Sequence, residues 1–201
     1  MTPFKRFFDF ISAIVLSTVL LPVMIWVAIL IAVRDGRPIF YVAERMRTPT
    51  EAFGLIKFRT MRASADDSGV SGGHKSDRLT RTGKMLRRTR LDELPQILNV
   101  LKGDISLVGP RPPLRQYVER FPRLYAEVLK SRPGITGLAT LYFHEHEEYL
   151  LSRCDGAEQT DRVYAAHCVP RKAHIDLIYQ RNRSFCYDWE IMLKTVFKRL
   201  R

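Results

Sequence analysis

The sequence predicts an α+β, mostly helical chain. It combines an apolar N-terminal membrane helix with a break in it, several amphipathic helices and a small β-hairpin, arranged around a cytosolic site. Three observations carry this. Phe10 to Val33 is a run of 24 residues without a charge, long enough to enter a bilayer. The rest is basic, with 33 Lys+Arg against 21 Asp+Glu and a formal net charge of +12. Past residue 91 apolar residues recur at helical spacing, whereas 38–60 is rich in β-branched and aromatic residues.

Composition excludes other classes. A hydrophobic fraction of 46% excludes a disordered chain, and three cysteines, Cys154, Cys168 and Cys186, without CxxC spacing, exclude a disulfide scaffold or a zinc ribbon. The length of 201 residues fits one domain. A basic body on one apolar segment suits an anionic membrane surface or the handling of phosphates.

The apolar run holds fifteen Leu, Ile, Val or Phe residues, so insertion gains at most about 5 to 9 kcal/mol. Pro22, near its midpoint, costs about 3 kcal/mol in a helix interior and bends or breaks it. Lys5 and Arg6 precede the run, and Arg34 and Arg37 follow it. Cations at both ends favour the same cytoplasmic face. A helix–break–helix that enters and leaves on one side satisfies both, each half reaching about 17 Å, too short to cross. Ser17 and Thr18 are the hydroxyls nearest the carbonyls that the break frees. A plain transmembrane anchor with a proline kink is the other reading of this segment. A cleaved signal peptide fits less well, because the run is too long and no small-x-small site follows.

Beyond it, 38–45 and 52–60 read as a β-hairpin turning at Met46–Glu51, and 64–77 as a flexible polar loop. Gly83–Arg90 reads as a short basic helix. Leu94, Ile97, Leu98 and Leu101 mark an amphipathic helix with Pro95 in its first turn and Gly103 at its end. GPRPP (109–113) is extended, and 113–131 is a helix that Pro122 breaks or bends. In 185–200, Phe185, Trp189, Met192, Leu193, Val196 and Phe197 alternate with Lys194, Lys198 and Arg199. This reads either as a helix lying in the bilayer interface or as a terminal helix packed on the core.

The chemistry concentrates at 78–96. Arg78, Arg81, Lys84, Arg87, Arg88 and Arg90 precede Asp92–Glu93, which opens the following helix. A helix N-terminus and the arginines favour two ionised carboxylates. Such a pair can hold Mg²⁺ and attack an electrophile, and a phosphate bound by the arginines would supply one. The plainer alternative is a helix cap paired with arginines. Lys57 and Arg59 share one strand face at i, i+2, and Arg111 is stiffened between two prolines; both arrangements suit phosphate recognition.

Lys5, Arg6 and Asp9, Pro22, DGRPIFYVAER (35–45), KFRTM (57–61), LTRTGKMLRRTRLDELPQILNVLKGDISLVGPRP (79–112) and RPGITG (132–137) together resemble the bacterial sugar transferase family. These are the monotopic (small) polyprenyl-phosphate phosphoglycosyl transferases. The match covers 5–137 with few gaps and 171–196 weakly. The resemblance implies an N-terminal re-entrant membrane hairpin (1–36), with Pro22 at its break, and a cytosolic or interfacial catalytic domain (37–201). It implies transfer of a sugar 1-phosphate from a UDP-sugar to polyprenyl (undecaprenyl) phosphate with release of UMP, at the cytoplasmic face of a bacterial inner membrane. Asp92 corresponds to the nucleophile that forms an aspartyl phosphosugar in a ping-pong cycle. Glu93 is its partner in binding Mg²⁺, and Lys57, Arg59, Arg87 and Arg111 match phosphate-facing positions. A covalent intermediate lets a soluble donor and a lipid acceptor use one site in turn.

Two departures stand out. Leu21 replaces the usual Ser or Thr before the central proline, and LATLYFHEHEEYLL replaces the usual continuation after RPGITG, leaving 138–170 without a template. HEHEE (144–148) reads as a solvated face, or as a metal site if His144 and His146 share a strand face. A membrane-tethered binding or scaffold protein is the competing functional class. It accounts for the positive charge but leaves the acidic pair without a role, and the sequence carries no nucleic-acid-binding motif.

Overall fold

The computed structural model describes residues 2–62 and 78–199. The polar loop expected over 64–77 lies outside the described residues. Helix α1 (Pro3–Arg34) opens the chain, with Thr2 Oγ1 accepting from the Lys5 N–H as its N-cap. Its helical run continues through Pro22 without a break. Pro22 supplies no N–H to the Thr18 carbonyl, and the Thr18 hydroxyl bonds back to Ile14 O at 3.0 Å, an arrangement that bends helices. Ser17 Oγ is buried without a partner among the described residues.

Both ends of α1 are fixed to the body. At its start, Lys5 Nζ lies 2.5 Å from Asp188, Arg6 donates to the Val100 and Leu101 carbonyls, and the fully buried Asp9 accepts from the Ser106 hydroxyl. Past its end, Arg59 donates to the carbonyls of Asp35, Gly36 and Arg37, and the Thr80 hydroxyl donates to Asp35 at 2.9 Å. The buried positions of α1 are Asp9, Ala13, Val27 and Ile31; residues 14–26 are exposed or half-buried.

Strands β1 (Phe40–Met46) and β2 (Ala52–Phe58) form the expected antiparallel hairpin, in the register Phe40↔Phe58 to Met46↔Ala52. Arg59 falls outside β2, so the i, i+2 face shared with Lys57 is not realised. Helix α2 (Arg81–Thr89) is capped by Thr80 and leads through a 3₁₀ turn (Leu91–Glu93) into α3 (Gln96–Lys102), which Gly103 ends at φ +87°. The acidic pair therefore lies on the turn before the helix that it was expected to open.

Strand β3 (Ser106–Val108) pairs in parallel with β4 (Gly134–Thr136), a sheet that the sequence did not disclose. Helices α4 (Arg115–Arg120) and α5 (Pro122–Val128) cross between them, split at Phe121 just ahead of Pro122 as expected. The glycines of the two motifs make this sheet possible. A Cβ on Gly134 would stand 2.2 Å from Gly109 N, and one on Gly137 2.1 Å from Gly109 O. Only hydrogen fits there.

Helices α6 (Leu138–Ser152), α7 (Ala157–Val163), α8 (Val169–Asn182) and α9 (Phe185–Arg199) complete the chain, with a π-type turn at Tyr164–Cys168. One apolar cluster, around Tyr117, Val128, Phe143 and Cys168, joins α4–α8. A second, around Ala13, Leu55, Val100, Ile105 and Ile191, joins α1, β2, α3, β3 and α9. A third joins Val27 and Ile31 to Phe58 and Leu86. Strand β2 thus ties the apolar helix to the body that carries the acidic turn. Helix α9 packs Ile191 in the core, while Phe185, Trp189, Leu193, Val196 and Phe197 are exposed.

Candidate active site

Asn99 of α3, fully buried, takes the place of a third strand beside β2. Its Oδ1 accepts from the Ile56 N–H at 3.0 Å, and its Nδ2 donates to Gly54 O at 2.8 Å. The next residue, Lys57, is thereby fixed over the acidic turn, with Nζ 3.1 Å from Glu93 Oε1. Arg111 reaches the same oxygen at 2.7 Å from the segment that follows β3, where Gly134 N–H donates to the Pro110 carbonyl. Arg90 faces Glu93 Oε2 at 3.8 Å; it occupies the left-handed region at φ 59°, unusual for a residue with a side chain, and ends α2 there.

Glu93 and Asp92 are both buried, yet their environments differ. Burial works against a charged Glu93, but Arg111 and Lys57 more than offset it and hold the carboxyl well below its usual range. Burial and then the charge of Glu93 push Asp92 up, against the pull of Lys57, Arg87 and Arg111. The two carboxylates, both expected to be ionised, are not alike: the cations serve Glu93 first, and Asp92 is the more basic of the pair. Asp92 Oδ1 is buried and without a hydrogen-bond partner among the described residues. Arg111 is raised, chiefly by Glu93, while burial pushes Lys57 down.

Arg87 points toward this cluster. Its Nε donates to the Thr60 hydroxyl at 3.0 Å, and its charge acts on Asp92. Of the residues singled out in the sequence, Lys57, Arg87, Asp92, Glu93 and Arg111 therefore converge. Arg59 does not; its guanidinium is held by the carbonyls of 35–37. Pro22 is distant by construction, in the middle of α1.

Sequence reasoning passed over Arg45, and read HEHEE only as a solvated face or a metal site. Arg45 shares the Lys57 face of the hairpin, because it pairs with Phe53, two steps of two from Lys57, and it interacts electrostatically with Arg111 and Glu93. Strand register was the signal that would have found it. His144 and Glu147, in HEHEE, lie one turn apart on α6, so the strand geometry required for His144 and His146 to act together is absent. Burial, then Arg90 and Arg111, push the His144 imidazole down to about 4, leaving it neutral at pH 7. Glu147 pairs with Lys172 at 2.9 Å, and Lys172 also donates to the Tyr164 hydroxyl at 3.1 Å.

A buried carboxylate pair ringed by Lys57, Arg87, Arg90 and Arg111, on a basic body fixed to an apolar helix, is the class of site that receives phosphate groups. Comparison with known proteins makes that class specific: residues 1–201 match the bacterial sugar transferase model, and the chain belongs to that family. It is 39% identical over 197 residues to a UDP-glucose:undecaprenyl-phosphate glucose-1-phosphate transferase of Caulobacter vibrioides, covering 96% of this chain and 68% of that one. It is 33% identical over 200 residues to a UDP-N-acetylgalactosamine-undecaprenyl-phosphate N-acetylgalactosaminephosphotransferase of Aeromonas hydrophila, covering 96% of this chain but 42% of that one. An exopolysaccharide production protein of Rhizobium leguminosarum is 36% identical over 205 residues, covering 98% and 94%.

Proposed function

We propose that the chain transfers a sugar 1-phosphate from a UDP-sugar to undecaprenyl phosphate, releasing UMP, with Asp92 as nucleophile. The observation that carries this is the unpartnered, buried Asp92 Oδ1 beside a Glu93 whose charge is already compensated. In the first half-reaction an Asp92 oxygen attacks the phosphorus that bears the sugar. The P–O bond to the uridine phosphate breaks, and that bridging oxygen leaves with UMP. In the second, a phosphate oxygen of the lipid attacks the same phosphorus. The lipid diphospho-sugar forms, and Asp92 recovers its carboxylate. Lys57, Arg87 and Arg111 lower the electrostatic barrier to an anion approaching a diphosphate. The donor and acceptor classes are those that the names of the relatives carry.

Mg²⁺ fits this site. Two carboxylates, one with an unpartnered oxygen, match a cation that keeps several waters and binds through one or two carboxylates plus substrate phosphates. Asp92 and Glu93 would hold it, and it would supply further neutralisation of the diphosphate.

The membrane course proposed is re-entrant on the cytoplasmic face of the inner membrane. Two features support it. A straight 32-residue helix reaches about 48 Å, yet Lys5, Arg6 and Asp35 at its two ends are held by polar groups of one body, while its middle is apolar and uncovered. Pro22 and the Thr18 back-bond supply the bend. The exposed stripe of α9 lies beside the start of α1, with Phe8 against Phe185 at 4.9 Å and Trp189 at 5.6 Å, which suits a helix resting in the interface.

The test is UMP release from UDP-sugars with undecaprenyl phosphate and Mg²⁺, comparing the native protein with Asp92→Asn. UMP from the native chain and none from the variant is expected; equal release from both contradicts the nucleophile assignment.

A further inference from the structure

Where α1 ends, the molecule has a second cationic concavity that shares no residue with the acidic-pair cluster. Two adjoining hollows of about 380 and 350 Å³ share Arg34, Asp35 and Arg81, and the smaller adds Arg59, Arg62 and Thr80. Four guanidinium groups therefore face one carboxylate. That carboxylate is already engaged, since Asp35 Oδ2 accepts the Thr80 hydroxyl. Helix α2 begins here, so its first N–H groups add to the positive field. The height of the concavity above the apolar run matters as much as its charge. Val33, 79% exposed, is the last residue of that run, and Arg34 follows directly. If α1 is embedded, the guanidinium groups stand at the level of the lipid phosphates.

The geometry points to a binding site for the phosphate of an anionic membrane lipid at Arg34, Arg62 and Arg81, separate from the acidic pair. It rests on the membrane attachment proposed above. Arg59 builds the wall, because its two terminal nitrogens donate to the carbonyls of 35–37, while Arg34, Arg62 and Arg81 line the hollow and are exposed. A path of contacts joins this site to the reacting carboxylate. Thr80 N–H donates to Thr60 O at 3.1 Å, the Thr60 hydroxyl accepts from Arg87, and Arg87 acts on Asp92. A lipid phosphate held here is linked to the acidic-pair cluster through Thr80, Thr60 and Arg87, whether its source is a bulk phospholipid or the polyprenyl phosphate acceptor.

The full chain in detergent micelles is titrated with phosphatidylglycerol, phosphatidylcholine, undecaprenyl phosphate or inorganic phosphate, and retained adducts are counted by native mass spectrometry. The native protein is expected to retain one anionic lipid at least about ten-fold more tightly than phosphatidylcholine. Arg34→Gln/Arg81→Gln should lose most of that preference and Arg62→Gln part of it. The charge-matched control Arg123→Gln/Lys130→Gln should keep it. Preference for undecaprenyl phosphate assigns the site to the acceptor, and equal retention of phosphatidylglycerol assigns it to headgroups in general; both support a lipid phosphate. Inorganic phosphate bound as tightly as lipid, or an unchanged preference in Arg34→Gln/Arg81→Gln, overturns it. Flotation with phosphatidylcholine vesicles separates the two readings. If no protein floats, the membrane attachment fails; if all float without the lipid preference, the site alone fails.

Discussion

Glu93 Oε1 accepts from Lys57 and Arg111 at 3.1 and 2.7 Å, so the two neighbouring carboxylates are unlike in charge balance. Removing Arg111 leaves Glu93 to Lys57 and the more distant Arg90. Arg111→Ala is expected to lower kcat/KM for UMP release by about 10²–10³-fold, as the loss of one preorganised donor does. Arg111→Lys should recover part of it, since a point charge remains but the planar fork does not. A loss below about three-fold in Arg111→Ala would contradict its place at the reacting phosphates. Glu93→Gln keeps the shape and removes the charge. It is expected to raise the Mg²⁺ requirement and nearly abolish turnover; native rates at low Mg²⁺ would count against Glu93 as a metal partner.

The elements that local signals define were legible in the sequence. The hairpin follows from β-branched residues on either side of a turn, α3 from its i, i+3, i+4, i+7 leucines and isoleucine, and the α4–α5 split from Pro122. The β3–β4 sheet was not legible, because three-residue strands carry no alternation and Ser106 pairs with Gly134, 28 residues further on. Arg59 was misplaced because β2 stops one residue before it. Helices α6 and α7 lay where the family pattern gave no guide. The β3–β4 geometry is testable through Gly134, where an added Cβ meets backbone that cannot yield. Gly134→Ala is expected to lower Tm by at least about 3 °C, and an unchanged Tm would contradict the close approach. Within α8, burial pushes Asp176 up to about 7 from 3.8. Below its unfolded value both states hold the proton. As pH rises toward 7 the unfolded chain releases it first, so this group's contribution to stability falls across that window. Asp176→Asn, which still offers an acceptor to the Ala139 N–H, should flatten the Tm profile from pH 4 to 7; parallel profiles would contradict the assignment.

At the scale of the whole molecule, an apolar helix held at both ends is joined to a body whose buried carboxylate pair is ringed by cations. Its topology is accessible to labelling in a Cys186→Ser background, because Cys154 and Cys168 are buried. Single cysteines at Phe4 and Arg37 are both expected to react with an impermeant maleimide from the cytoplasmic side; reaction from opposite sides would establish a spanning anchor instead. The apolar run itself was legible, but α1 continues through Pro22 where a break was expected, and the polar contacts that hold its two ends, Lys5 to Asp188 and Thr80 to Asp35, join residues 183 and 45 apart and left no local trace. The most direct measurement is the mass of the tryptic peptide Leu91–Lys102, which carries Asp92 and Glu93 together, after incubation with UDP-sugar and Mg²⁺ and without acceptor. With Asp92 as nucleophile, this peptide gains the mass of one sugar phosphate at Asp92 and loses it when undecaprenyl phosphate is added. An unmodified peptide in a preparation that goes on to make lipid-linked sugar would contradict that role.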